Sequence, residues 1–357
     1  MKPTPDFERL KKVLLRQGEP DRVPFYEHFV DEEVVEAISG QPLTKLDTSD
    51  PDQIKTYVNI LVEFYLQQGY DYVPLERFLN LPRNNVVHGV DTAALSRDTR
   101  EWQDENEGVI TTWEEFEAYP WPAEGDLVNY RMFEYAAKAL PDGMKIIGGV
   151  AGGVFEHLSW MMGLVPLSLA LYDTPDLIRA MVKKITSMIV RVDRNILDIC
   201  GDSFGALRMG DDLGYKTATM LDPKVLRQEI FPYQKQVVDL AHERGLPFVL
   251  HSCGYLEDIM DDLIDTVGID AKHSFEDAII PVTDWKPKWS HRVAVLGGVD
   301  MDKLCSLGDQ ELRAYSNHIL DVCSPGGGWA FGSGNSIANY VPVKNYLAML
   351  EEGRKRW

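Results

Sequence analysis

The sequence predicts a single α/β domain, a distorted (β/α)8 barrel spanning residues 1–357. Three observations lead there. Short apolar runs alternate with longer stretches of helical periodicity. The alternation occurs eight times, the number a closed parallel barrel needs. Each run passes directly into polar residues or glycine, as barrel strands do where they open into loops. An open doubly wound sheet is the competing arrangement.

The runs occupy 23–26, 72–75, 145–147, 206–209, 247–250, 269–272, 293–296 and 328–331. Each is short, and most are apolar enough to be buried on both faces. Helical patterns separate them. In 56–68 the positions Tyr57, Ile60, Leu61 and Phe64 share one face, and Gly69 suits a C-cap. A long helix starts with Pro175 in its first turn and continues through Ile178, Met181, Val182 and Ile185. Another begins near Pro223 and carries Val237, Leu240 and Ala241 before Gly245, and a further one covers 256–267. The stretch 91–119 breaks the rhythm. It contains the β-branched run Val109, Ile110, Thr111, Thr112 among polar residues, and the stretch as a whole reads as a small hairpin excursion.

Charge and cysteine use narrow the function. The chain carries 36 basic and 56 acidic side chains, a net charge of −20, which argues against nucleic acid as a partner. No apolar run approaches the roughly 18 residues of a membrane span. The first 22 residues are charged and lack the apolar core of a signal peptide, so a cytoplasmic protein is expected. Cys200, Cys253, Cys305 and Cys323 are scattered and form no CxxC pair, consistent with reduced thiols.

A barrel gathers its reactive groups at the C-terminal ends of its strands. The polar residues there are Glu27, His28, Glu76, Arg77, Asp211, Asp212, His251, Cys253, His273, Asp300, Ser333 and Asn335. Polar strand-to-loop junctions are ordinary in any such fold and account for about half of these. His28, Glu76, Asp211 and His251 are the candidate catalytic groups. His251 and Cys253 are two apart on a strand and so point to one face, where imidazole and thiolate can share a zinc ion. The alternative is a buried cysteine beside a hydrogen-bonded histidine. Asp211 and Asp212 suit a general base or a metal-bridging carboxylate, or equally a helix cap or an ion pair with Arg208. Gly149, within the run G-G-V-A-G-G, and Gly298 are candidate points of backbone approach to a cofactor.

The motifs G-D-D-L-G (210–214), H-S-C-G (251–254), G-I-D (268–270), L-G-G-V-D (296–300) and the closing G-x-x-N-S-I with V-P-V-K-N resemble the uroporphyrinogen decarboxylase superfamily. The resemblance runs from Arg22 to Asn345. It implies a distorted (β/α)8 barrel and one of two activities: tetrapyrrole decarboxylation, or cobalamin-dependent methyl transfer involving a corrinoid protein. The decarboxylases carry an arginine-rich motif after the first strand. Here 25–33 reads F-Y-E-H-F-V-D-E-E, which is acidic and would repel a polycarboxylate. The zinc methyltransferases use H-x-C plus a third cysteine after the last strand. His251 and Cys253 match, but the resemblance places Asn335 at the third position, and asparagine is a poor zinc ligand. Glu27, Glu76, Asp211 or Glu276 would then have to complete a metal site. Asn335 is also a candidate cofactor contact.

The leading expectation is therefore a corrinoid-dependent methyltransferase-like enzyme, acting with a corrinoid protein on a small methyl donor or acceptor, with or without zinc. A decarboxylase of a tetrapyrrole is the alternative, with Arg77 and Arg208 as its cationic contributors. A non-catalytic corrinoid- or tetrapyrrole-binding homologue is a third reading. A homodimer stays open.

Overall fold

The computed structural model describes residues 4–357. The strands are β1 (Tyr72–Arg77), β2 (Val86–Val90), β3 (Thr99–Gln103), β4 (Lys145–Val150), β5 (Phe204–Gly210), β6 (Phe248–His251), β7 (Ala271–His273), β8 (Ala294–Leu296) and β9 (Trp329–Ala330). Seven of them form one parallel sheet in the order β1-β4-β5-β6-β7-β8-β9, and β2 and β3 form a separate antiparallel hairpin. Helices connect successive strands of the sheet, as parallel pairing requires. The strands are apolar and buried; all seven residues of β5 are buried.

The expected closed barrel of eight laddered strands is corrected to a curled sheet of seven. The first expected strand, 23–26, is held to β9 by one parallel bridge, Phe25 to Phe331. The Tyr26 N–H donates to the Phe331 carbonyl at 2.8 Å, and the Phe331 N–H to Pro24 at 2.9 Å. Toward β1 side chains take over from the ladder. The Glu27 N–H donates to the Tyr72 hydroxyl at 2.8 Å, and the Tyr26 and Tyr72 rings stack 5.6 Å apart. Pro24 and Pro74 lie on the two segments facing this seam, and neither has an N–H to give a ladder.

The expected hairpin excursion is present, but it begins earlier, with β3 inside 91–119 and β2 just before it. β2 and β3 pair Val86 with Gln103 through Val90 with Thr99, ahead of most of 91–119. The run 109–112 is not a strand. Thr112 caps the helix Trp113–Ala118, accepting from the Glu115 N–H, and the Glu115 carboxylate accepts from the Thr112 N–H. That reciprocal cap outweighs the β preference of the preceding residues.

The long helices match their signals. Pro51–Gln68 starts on an Asp50 cap and ends at Gly69, which turns the chain at φ +89°. Pro175–Cys200 has proline in its first turn. The segment at 256–267 is helical in short turns rather than as one regular helix. Among the described residues no single helix is long and apolar enough to cross a membrane.

Candidate active site

The site begins with the register of two adjacent strands. His251 ends β6 and His273 ends β7, and the two are paired in register. Parallel neighbours in register point the same way, so both imidazoles enter the mouth of the curled sheet. Their Nδ1 atoms are 2.8 Å apart, and His273 Nε2 is 3.3 Å from the Ser333 carbonyl oxygen. A carbonyl only accepts, so His273 carries its proton on Nε2. His273 Nδ1 is then an acceptor, and His251 donates to it from Nδ1. The lone pair of His251 is thereby fixed on Nε2.

That lone pair faces two further groups. Cys253 Sγ is 3.5 Å away and Asp212 Oδ1 is 3.9 Å away. Asp212 is held by the Cys253 N–H, which donates to it at 2.8 Å. Cys253 Sγ also accepts from the Asn335 amide at 3.2 Å and the Ser274 hydroxyl at 3.4 Å. On the other face of His251 the His28 ring stacks at 4.1 Å. His28 Nε2 is 4.0 Å from Glu76 Oε2, and its Nδ1 is buried without a partner. Arg208 of β5 fixes this side, donating to Glu76 at 2.6 Å and to the His28 carbonyl.

Burial sets the protonation states. It pushes His251 down to about 4, against the opposing pull of Asp212. It also lowers His28 and His273. Three neutral imidazoles result, and for His251 and His273 the hydrogen-bond chain requires the same. Burial and the Asp212 charge push the Cys253 thiol up to about 12, while Ser274 and Asn335 oppose them. Cys253 therefore stays a thiol at neutral pH unless a cation joins it.

Two sets of residues bring three ligand atoms within 4.8 Å of one another: Asp212, His251 and Cys253, and the three histidines His28, His251 and His273. In the second set His273 uses both nitrogens and His251 uses Nδ1 in hydrogen bonds, so the first set is the one with free ligand atoms. Its donors are nitrogen, sulfur and carboxylate oxygen, which suit zinc. Nitrogen and sulfur ligands of a tetrahedral zinc stand about 3.6 Å apart, given bonds of about 2.1 and 2.3 Å. His251 also gives its second nitrogen to a fixed partner, the usual support of a metal-bound histidine.

His251 and Cys253 thus come together as expected, and the carboxylate beside them is Asp212. Neither Glu27, Glu76, Asp211 nor Glu276 belongs to either ligand set among the described residues. Of the two readings of Asp211, the geometry shows the helix cap. It accepts from the Phe155 and Glu156 N–H groups at 3.1 and 2.8 Å and from Gln234 at 2.7 Å. These groups need it because Gly153, at the start of the helix Val154–Met162, has no side chain to cap with. Asn335 stands beside the Asp212–His251–Cys253 set, where the resemblance places it, and its amide donates to Cys253 Sγ at 3.2 Å. Gly149 and Gly298 face protein, not a cofactor cavity. A Cβ at Gly149 would lie 2.8 Å from Asp193, and one at Gly298 would lie 2.4 Å from Val282. His28 and Glu76 do stand at the mouth. His273 was visible only as one rim residue among twelve; its signal is that its strand follows the His251 strand directly.

The model of the uroporphyrinogen decarboxylase (URO-D) family matches residues 107–356. The chain belongs to the uroporphyrinogen decarboxylase family. Among solved structures, a methyltransferase from Methanosarcina mazei superposes on this URO-D family member with a TM-score of 0.70 at 16% identity, covering 99% of both chains. At that identity the likeness establishes a shared fold. A protein described as a vitamin-B12-independent methionine synthase from Listeria monocytogenes follows at TM-score 0.47 and 11% identity, covering 94% of this chain and 97% of its own. A xylose isomerase domain protein from Planctomyces limnophilus gives TM-score 0.36 at 12% identity, covering 64% and 84%. No curated protein sequence matches the chain.

Proposed function

We propose that this chain is a corrinoid-dependent methyltransferase that moves a methyl group between a corrinoid protein and a small donor or acceptor. The observation that carries this reading is the convergence of Asp212, His251 Nε2 and Cys253 Sγ at the mouth of a URO-D family fold. The same fold is found in the Methanosarcina methyltransferase.

The residues present fit zinc. Asp212, His251 and Cys253 would hold it, and its charge would stabilise the anionic form of a thiol or hydroxyl group brought beside it. The chain supplies the rest. The His273–Ser333 relay orients His251. Ser274 and Asn335 place two donors on Cys253, which favour its thiolate. His28 presents a neutral ring that stacks on His251 and stands beside Glu76, and so holds His251 in place from its other face. Decarboxylation of a polycarboxylate finds less support, because Arg208 is already paired with Glu76 and Arg77 alone is left among four carboxylates.

The test is methyl transfer with free cobalamin, followed by its visible spectrum, across a panel of thiols, amines, alcohols and methyl ethers. Turnover with at least one member is expected, falling by roughly 100-fold or more in Cys253→Ala and Asp212→Asn. Silence across the panel, with uroporphyrinogen losing carbon dioxide instead, would overturn the reading.

A further inference from the structure

Beside the histidine cluster lies a cleft of about 490 Å³, between the acidic segment after the first strand and the end of β1. Its walls include Phe29, Leu61, Phe78 and Met132. Four carboxylates and three guanidinium groups line it, and nearly all are already matched. Arg97 donates to Glu33 at 2.7 and 2.9 Å and pairs with Asp31, which also accepts from the Asn339 N–H at 2.8 Å. Glu32 accepts from the Tyr57 hydroxyl at 2.7 Å, and Glu76 is held by Arg208.

Arg77 is the exception. Among the described residues it has no hydrogen bond to its side chain and no ion pair, and it feels Glu32 only through space. A guanidinium keeps its charge and carries five N–H donors in a planar fork that fits a carboxylate bidentately. We propose that the cleft binds a small monocarboxylate with an apolar body, anchored by its carboxylate on Arg77. The number of anionic groups follows from the charges. Four carboxylates against three guanidinium groups already leave the lining net negative, so a ligand carboxylate has to be held by direct bonds to Arg77, and Asp31, Glu32 and Glu33 penalise a second one. The apolar walls take the body of the molecule. Glu76 and Arg208 also line the cleft, and Glu76 is 4.0 Å from His28, which stacks on His251. The cleft and the Asp212–His251–Cys253 cluster are therefore joined through Glu76 and His28. This names a substrate class for the methyl-transfer reading and rests on it, but the site itself is testable by binding alone.

The probes are benzoate, benzamide and benzene-1,4-dicarboxylate, measured by calorimetry against the full chain. Benzoate should bind, benzamide should bind at least 10-fold more weakly, and the dicarboxylate should bind more weakly than benzoate. Arg77→Met should weaken benzoate by roughly 10-fold or more, and Arg77→Lys should recover part of that loss. Circular dichroism checks that each variant is folded, and Arg77→Gln replaces Arg77→Met if the latter is not. No benzoate binding to the wild type, equal binding in the folded Arg77 variants, or tighter binding of benzamide or the dicarboxylate would overturn the proposal. If benzoate binds as stated while no methyl transfer is found, the anion site stands and only the methyl-transfer reading falls.

Discussion

His251 has one free lone pair, and its direction depends on residues far away in the chain. If His273 fixes it through the Nδ1–Nδ1 contact, His273→Ala should weaken metal binding by about 10- to 100-fold without removing a ligand. Metal titration with a competing chelator reads this directly. Glu27 makes a second residue-scale prediction. Burial pushes its carboxyl up to about 8, against the pull of Ser333. The hydrogen bonds agree with a protonated acid. The Ser333 hydroxyl has one proton, lies 2.9 Å from the Asn335 carbonyl and also touches Glu27 Oε2. If that proton goes to Asn335, the proton between Ser333 and Glu27 belongs to Glu27. The folded state then holds this proton between its ordinary carboxylate range and about 8, where the unfolded chain has lost it, so stability falls as pH rises through that window. Glu27→Gln removes the penalty. Its melting temperature relative to wild type should therefore be more favourable near pH 8.5 than near pH 5. A difference that does not change with pH would contradict the assignment.

At the scale of elements, the helix Val154–Met162 depends on a carboxylate from the end of another strand. Asp211→Ala leaves the Phe155 and Glu156 N–H groups and the Gln234 amide without their acceptor, at a cost of roughly 2–3 kcal/mol. Urea denaturation should show it as a lower midpoint, with Asp211→Asn intermediate. The seam of the curled sheet is equally specific. A Cβ at Gly332 would lie 1.7 Å from the Tyr26 carbonyl oxygen, so Gly332→Ala should push the first segment off β9 and destabilise the fold. The strands that build the site were legible because buried parallel strands are continuous apolar runs. The hairpin was legible as a break in that rhythm, but not its strands. β3 reads T-R-E-W-Q and is largely exposed, so it lacks the alternation that marks a half-buried strand. The run 109–112 has the right residue types, but Thr112 and Glu115 form a capping box, a signal that lies beyond the run itself.

Over the whole molecule the chain is expected to behave as one domain. Tryptophan fluorescence and circular dichroism should report a single, coincident urea transition, whereas separated transitions would argue for two units. The site is legible in the sequence to the extent that it is local. His251 and Cys253 share a strand, and their common direction follows from spacing two. Asp212 and Asn335 reach Cys253 across 41 and 82 residues, through contacts that only the assembled sheet provides. Spacing alone therefore identified neither the carboxylate of the set nor the hydrogen-bonding role of the asparagine. The acidic segment after the first strand was legible as hostile to a polyanion, but its pairing with Arg97, which leaves Arg77 unmatched, was not. The most direct measurement of the central claim is the zinc content of the purified chain by mass spectrometry. About one zinc per chain is expected, lost in Cys253→Ala and Asp212→Asn. A folded wild type that takes up no zinc, or a Cys253→Ala protein that keeps it, would contradict the assignment of Asp212, His251 and Cys253 as the centre.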